Sequence, residues 1–267
     1  MENLSKIGRI FYATAIAAMG FQTIYFKDFH PYLLPANHSW LPAVAVFARV
    51  FGIMIILAGV CIGFKISARP ISLLLGSALL LIVCFYYIPY ELLGTTNYMH
   101  LGEWENAQKE LALAGGAFVI AGCFSAKKEN ALFKLLSKLI PLGAILFSIM
   151  MICFGINHFL YTKGVADYTP SWVPDRIFWA YFAGSALIGS GIGITFNIRR
   201  GLCAALLGLM IFIWFIILHI PKAIASPYAD MGGEVISAFL ALAYSGTAFV
   251  IAGSGKKNEK RGYRFSK

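Results

Sequence analysis

The sequence predicts an all-α integral membrane fold of eight transmembrane helices, arranged as two tandem four-helix bundles that share one orientation. Three observations predict it. Hydrophobic residues make up 59% of the 267-residue chain and charged residues only 13%, with a mean hydropathy of +0.74 that no water-soluble fold of this size can bury. The apolar residues fall in runs of about 20, the length that crosses a bilayer at roughly 1.5 Å per residue. The second half of the chain repeats the landmarks of the first. Period-2 alternation is missing, which excludes a membrane β-barrel.

The predicted spans are 7–26, 43–64, 70–90 and 107–124, then 138–161, 176–196, 202–221 and 234–254. The first run follows Lys6 and Arg9 and has the outline of a signal peptide. It is expected to be retained, because its counterpart lies in mid-chain where no signal peptidase acts. Glycines inside the runs, among them Gly184, Gly189, Gly191 and Gly193, suit close approach of helices in lipid. Cys61, Cys84, Cys123, Cys153 and Cys203 all sit in apolar runs without a Cys-x-x-Cys pair, so they read as small core residues rather than a thiol relay.

The repeat rests on ordered landmarks. Trp40-Leu41-Pro42 and Trp172-Val173-Pro174 are 132 residues apart. At that offset Gly52 meets Gly184, Gly59 meets Gly191, Phe64 meets Phe196, Gly76 meets Gly208, and Ile88-Pro89 meets Ile220-Pro221. Ala117 to Gly122 recurs unchanged as Ala248 to Gly253, which sets Glu103 opposite Glu234. Gly20-Phe21-Gln22-Thr23 lies opposite Gly155-Ile156-Asn157-His158. The expected organisation is a first unit over 1–124, a basic linker over 125–138, a second unit over 139–255 and a basic tail over 256–267. Four spans per unit is an even number, so the units are parallel, unlike inverted-repeat transporters.

The formal charge of +10 is distributed as a topology signal, not as a nucleic-acid surface. Basic residues cluster at the N-terminus, in the even-numbered connections and in the tail, which by the positive-inside rule makes both termini cytoplasmic. The tail is expected to lie on anionic lipid headgroups. The acids Asp28, Glu91, Glu103, Glu105, Asp167, Asp175, Asp230 and Glu234 fall on the opposite, outer side.

Each unit carries an aromatic, proline-rich outer loop, from Phe29-His30-Pro31-Tyr32 to Trp40-Leu41-Pro42 and over Tyr168 to Pro174. It reads either as an interfacial anchor or as a lid over the bundle mouth. His30, His38, His100, His158 and His219 all fall in the outer half. Arg49 lies about six residues, or roughly 9 Å, inside its helix, where it either snorkels to the interface or pairs with Glu91, Glu103, Glu105 or an anionic ligand. His158, with Asn157 beside it, and His219 stand at comparable depth, as two axial ligands of a haem or a metal would. Otherwise they are interfacial histidines bonded to water or a carbonyl. In the first unit those positions are Thr23 and Tyr87, with Gln22 in place of Asn157. Phosphate loops, His-Glu-x-x-His and a Ser-His-Asp order are missing.

Gly155-Ile156-Asn157-His158-Phe159, Pro170-Ser171-Trp172-Val173-Pro174 and Tyr181-Phe182-Ala183-Gly184 together resemble the DoxX family of membrane proteins, over nearly the whole chain as two fused units. The resemblance implies four-helix membrane bundles and, for some relatives, a place beside quinone-linked or sulfur redox chemistry with a redox partner protein. It implies the bacterial inner membrane as location. Where the family has a glutamate after Tyr-x-x-Gly, this chain has Ser185, Ala186 and Leu187.

The candidate ligand-binding set is therefore Arg49, Asn157, His158, His219, Tyr87, Gln22 and Glu103, with quinone or haem as the expected cofactor. The competing readings are a carrier or channel for a small neutral or anionic solute, which the scarcity of midplane charge weakens, and a scaffold that binds through glycine-rich helix faces.

Overall fold

The computed structural model describes residues 2–35, 42–97, 99–126 and 129–262, the last eight by backbone alone. Helices and turns make up these residues, and no strand occurs among them. The helices are α1 (Glu2–Phe26), α2 (Val44–Phe64), α3 (Ala68–Ile82), α4 (Ile88–Gly94), α5 (Glu105–Gly122), α6 (Ala131–Leu136), α7 (Gly143–Leu160), α8 (Thr162–Tyr168), α9 (Arg176–Thr195), α10 (Arg200–Trp214), α11 (Ile220–Ala225) and α12 (Gly233–Gly262).

Six helical stretches are long and apolar enough to cross a membrane: Val44–Phe64, Ala68–Gly94, Ala131–Leu160, Arg176–Thr195, Arg200–Ala225 and Ala229–Ser254. The predicted runs 7–26 and 107–124 fall on α1 and α5, which are helical but less apolar. In α5 the first turns hold Glu105, Lys109 and Glu110, and α1 carries Arg9, Gln22 and Thr23. The physical reason is position. From Ala112 to Ala121 every residue of α5 is buried, so its environment is protein, and polar groups there answer to neighbouring side chains instead of lipid.

Local backbone devices occur at matched places in the two halves. A five-residue π turn, Val83–Tyr87, continues α3, and another, Phe215–His219, continues α10. In each the N–H of the following isoleucine, Ile88 or Ile220, reaches back five residues to the carbonyl of Val83 or Phe215. Pro89 and Pro221 come next in the chain. A proline ring crowds the carbonyl four residues before it and donates no hydrogen bond, and widening the turn relieves that clash. Between α2 and α3, Lys65 and Ser67 take left-handed φ of 62° and 46°; between α9 and α10, Asn197 and Arg199 take 59° and 45°. Residues other than glycine seldom adopt this region, so its recurrence marks two turns of the same kind.

Helices cross at glycines. A Cβ on Gly246 would lie 2.5 Å from the Gly8 carbonyl oxygen at the α1–α12 crossing, and one on Gly115 would lie 2.6 Å from the Gly143 oxygen at the α5–α7 crossing. Only residues without side chains let backbones approach this closely. These crossings join the halves: α1 packs on α2 and α12, α5 on α3 and α7, and α9 lies between α7 and α10. Helices α5 and α12 also touch, so the last helix of each half meets the other half.

Basic side chains tie the ends. Arg9 donates to the Ile62 carbonyl at 2.5 Å and to that of Gly63, satisfying the last turn of α2. Arg69 donates to Glu129 at 2.6 Å, to the Ala121 and Phe124 carbonyls at 3.1 Å and to Ser137 at 2.9 Å. The stretch expected as a linker is thus held against the bundle, and part of it forms α6, capped by the Asn130 side chain, which accepts from Phe133 N at 3.0 Å.

Candidate functional site

A cavity of about 800 Å³ lies among α7, α9, α10 and α12. Its deep wall is apolar, built by Met150, Met151, Leu187, Ile211 and Leu240. Trp179 and Trp214 face it with ring centroids 6.3 Å apart at 78°. These are flat, polarisable surfaces suited to a ring or a hydrocarbon chain.

The polar lining is narrower. Asn157, His158 and His219 all contribute to it, on α7 and on the π turn beyond α10. His158 Nδ1–H donates to the Phe154 carbonyl at 2.7 Å, which leaves Nε2 as the acceptor or ligating nitrogen. Among the described residues, His219 Nδ1 and Asn157 Oδ1 are buried without a hydrogen-bond partner. Buried polar atoms are normally satisfied, so two orphans on residues of one cavity lining mark it as a place where the described protein groups leave polar chemistry incomplete. Tyr168, on α8, donates to the Glu234 carboxylate, and its ring carries the Lys222 ammonium 3.6 Å from the centroid. Burial and, after it, the Glu234 hydrogen bond push the Tyr168 hydroxyl above its ordinary pKa, so it is a donor at neutral pH. The Tyr168 and His219 rings lie 6.3 Å apart. Lys109 also lines the cavity, held 2.6 Å from Glu105.

Four lining residues come from the first half, His30, Gly102, Glu105 and Lys109. His30 reaches the cavity from the loop after α1, and burial, then the nearby Lys109 charge, bring its pKa down to about 4. It is neutral at physiological pH.

The remaining predicted residues sit elsewhere. Arg49 is on the exposed face of α2, outside the cavity lining, and Glu103 is likewise exposed. Gln22 Nε2 donates to the carbonyls of Met231 at 2.9 Å and Gly232 at 2.7 Å, which fixes the turn before α12. Tyr87 is buried and donates its hydroxyl to the Pro31 carbonyl. His38, Trp40 and Leu41 lie outside the described residues.

Around the residues 132 positions before part of this lining, the interior is filled by the chain itself. Phe29, Tyr32 and Leu33, from the first outer loop, are 5%, 1% and 1% exposed and belong to the core with Ala48, Ile55 and Leu79. Phe29 packs edge-on against Phe51, ring centroids 5.6 Å apart. The matched residues at the 132 offset, Ala180, Leu187 and Ile211, and Ala183 opposite Phe51, line the open cavity instead.

Sequence reasoning set the acids on the outer side and passed over Glu110. The Glu110 side chain is fully buried in α5 and neither carboxyl oxygen has a hydrogen-bond partner among the described residues. A single acid in an apolar run was the signal, and it was masked by the more visible Glu103 and Glu105. Lys109, Tyr168, Glu234 and the two tryptophans were also missed as lining residues, because they come from five helices that only packing brings together.

No family model matches this chain, and no curated protein or solved structure does either. No group of three or more His, Cys, Asp or Glu residues placed to hold a metal occurs among the described residues. The lining fits a ligand with polar atoms for His30, Asn157, His158 and His219 and an apolar body for the methionine, leucine and tryptophan side chains.

Proposed function

We propose that this protein is a DoxX-like multi-pass membrane protein that binds a quinone-type, lipid-soluble redox molecule in its second half and serves as a redox-associated membrane subunit. One observation carries the reading. A mostly apolar cavity of about 800 Å³ has His158, His219, Asn157 and Glu234 in its lining, and two of these residues hold buried polar atoms that no described group satisfies. The carbonyl oxygens of a quinone head can accept from the N–H groups of Asn157 and His219, the hydroxyls of its reduced form can donate to His158 Nε2 and Asn157 Oδ1, and its isoprenoid tail suits the methionine and leucine wall.

In this reading α1 and α5 complete eight spans, and the chain is two fused four-helix units. The paired π turns before Ile-Pro, the paired left-handed turns and the paired glycine crossings support duplication, because backbone geometry does not follow from apolar composition. The basic tail rests on anionic lipid, both termini are cytoplasmic, the membrane is the bacterial inner membrane, and a redox partner docks at the outer mouth.

The test is purification of the full chain in mild detergent, followed by solvent extraction and absorption spectroscopy. Co-purifying quinone at near-stoichiometric yield is the expected result. A haem band in place of quinone would instead assign His158 and His219 as axial ligands. Loss of the idea follows if no redox molecule is retained and added short-chain ubiquinone does not bind above protein-free micelles. Gly164→Phe supplies the control, since Gly164 lines the cavity with open space around its Cα and the ring would occupy the ligand's volume.

A further inference from the structure

The plugged half of the molecule describes the ligand of the open half. In the first half, the loop residues Phe29 and Tyr32 fill the space, and the Pro31 carbonyl between them accepts a hydrogen bond from Tyr87. Tyr87 is the last residue of its π turn. His219 is the last residue of the matched π turn, 132 positions later, and lines the cavity with a buried Nδ1 that no described group satisfies.

From this pairing we infer that the cavity takes a flat-ring ligand bearing a carbonyl at its edge, with the carbonyl oxygen accepting a hydrogen bond from His219 as the Pro31 carbonyl does from Tyr87. The inference rests on the proposed reading of the cavity as a ligand site and of the halves as copies. It adds the atom that is recognised and the residue that recognises it. Shape agrees with it. Phe29, packed on Phe51 in the first half, has no aromatic equivalent in the second, where Ala183 replaces Phe51 and Gly164 has nothing within 4 Å of a Cβ. The space where a self-supplied ring is packed in one half is open in the other, and Trp179 and Trp214 border it. A neutral imidazole carries one N–H; Nδ1 of His219 is buried with no acceptor among the described residues, which leaves Nε2, the ring nitrogen that is not buried, to carry that proton, whereas His158 has committed its own N–H to the Phe154 carbonyl. His219 is therefore the donor available to an incoming carbonyl.

The experiment uses the full chain in lipid nanodiscs and measures equilibrium binding, over protein-free nanodiscs, of menadione and of methylnaphthalene, the same two rings without carbonyls. Menadione is expected to bind at least tenfold more tightly. His219→Leu should erase that preference, leaving both ligands at the hydrocarbon's affinity, while His219→Tyr, which installs the first half's donor, should keep it. Equal binding of the two molecules to the native protein, or an undiminished preference in His219→Leu, overturns the carbonyl site while leaving the cavity as an apolar binding site. Binding of neither molecule overturns the ligand-site reading along with it. Should His219→Leu fail to fold, the native preference and the His219→Tyr result still decide the matter.

Discussion

The two halves of this protein use the same backbone devices and reach opposite outcomes. Both have a π turn ahead of Ile-Pro, a left-handed pair of residues between the second and third long helices, and a glycine crossing to the other half. Yet the first half is closed by its own Phe29, Tyr32 and Leu33, and the second keeps about 800 Å³ open behind Tyr168. The difference lies in a few side-chain volumes. Phe51 and Glu110 in one half stand against Ala183 and Ala241 in the other, and a loop that turns inward stands against a short helix, α8, that stays at the rim. Local backbone turns recur, while the occupancy of the interior is decided by which residues reach it.

The strongest way to break this comparison is to unplug the first half. Tyr32→Ala removes a fully buried ring, and losses of that kind cost about 3–5 kcal/mol. Its midpoint of thermal unfolding should fall well below that of the native protein, and ligand stoichiometry should rise from one toward two. A variant that loses little stability would mean the loop is not the filling of that space. A second pair of substitutions asks whether the halves are mechanically equivalent. Gly115→Ala and Gly246→Ala each push a methyl to within 2.5–2.6 Å of a facing carbonyl oxygen, and should cost about 1–3 kcal/mol each, alike in the two halves. Gly189→Ala, with nothing within 4 Å of its Cβ, should cost nothing.

Glu110 is the next probe. A buried carboxyl without partners typically costs about 1–3 kcal/mol, so Glu110→Leu should raise the unfolding temperature by a corresponding amount. If it lowers stability instead, the carboxyl is satisfied by a bound group.

The smallest effects concern pH. His30 is held neutral in the fold and charges in the unfolded chain, so the unfolded state binds the extra proton between pH 6.5 and about 4. Stability should decline as pH falls through that window, and His30→Gln should flatten the slope. Glu129 behaves differently. The Arg69 hydrogen bond holds its carboxyl below the usual range, so its contribution persists above the unfolded value and is lost as pH drops through the lower folded one. Glu129→Gln should change only that acidic limb of the stability curve.

Much of the fold was legible in residue order. Six of the predicted runs correspond to stretches that meet the length and apolarity of a membrane span, because lipid imposes a length that composition alone reveals. The runs on α1 and α5 were legible as helices but not as sheltered ones, since shelter is a property of neighbours. At the site, Asn157, His158 and His219 were readable as a polar group at matched depth, and they do line one cavity. Arg49 and Glu103 looked equivalent to them in sequence and face away. A helix position one residue further along turns by about 100°, and only packing shows which direction is inward.

By itself, the sequence determined the apolar helices, the placement of Pro89 and Pro221 that opens the π turns, and the small residues at which helices cross. Each follows from local chemistry: chain length per turn, a missing N–H, a missing side chain. Only the tertiary structure decided that Phe29, Tyr32 and Leu33 fold inward, that His30 reaches a cavity lined mainly by the second half, and that Glu110 is buried in the core. Those outcomes depend on how volumes from distant segments compete for one interior, and no single stretch of the chain encodes that sum.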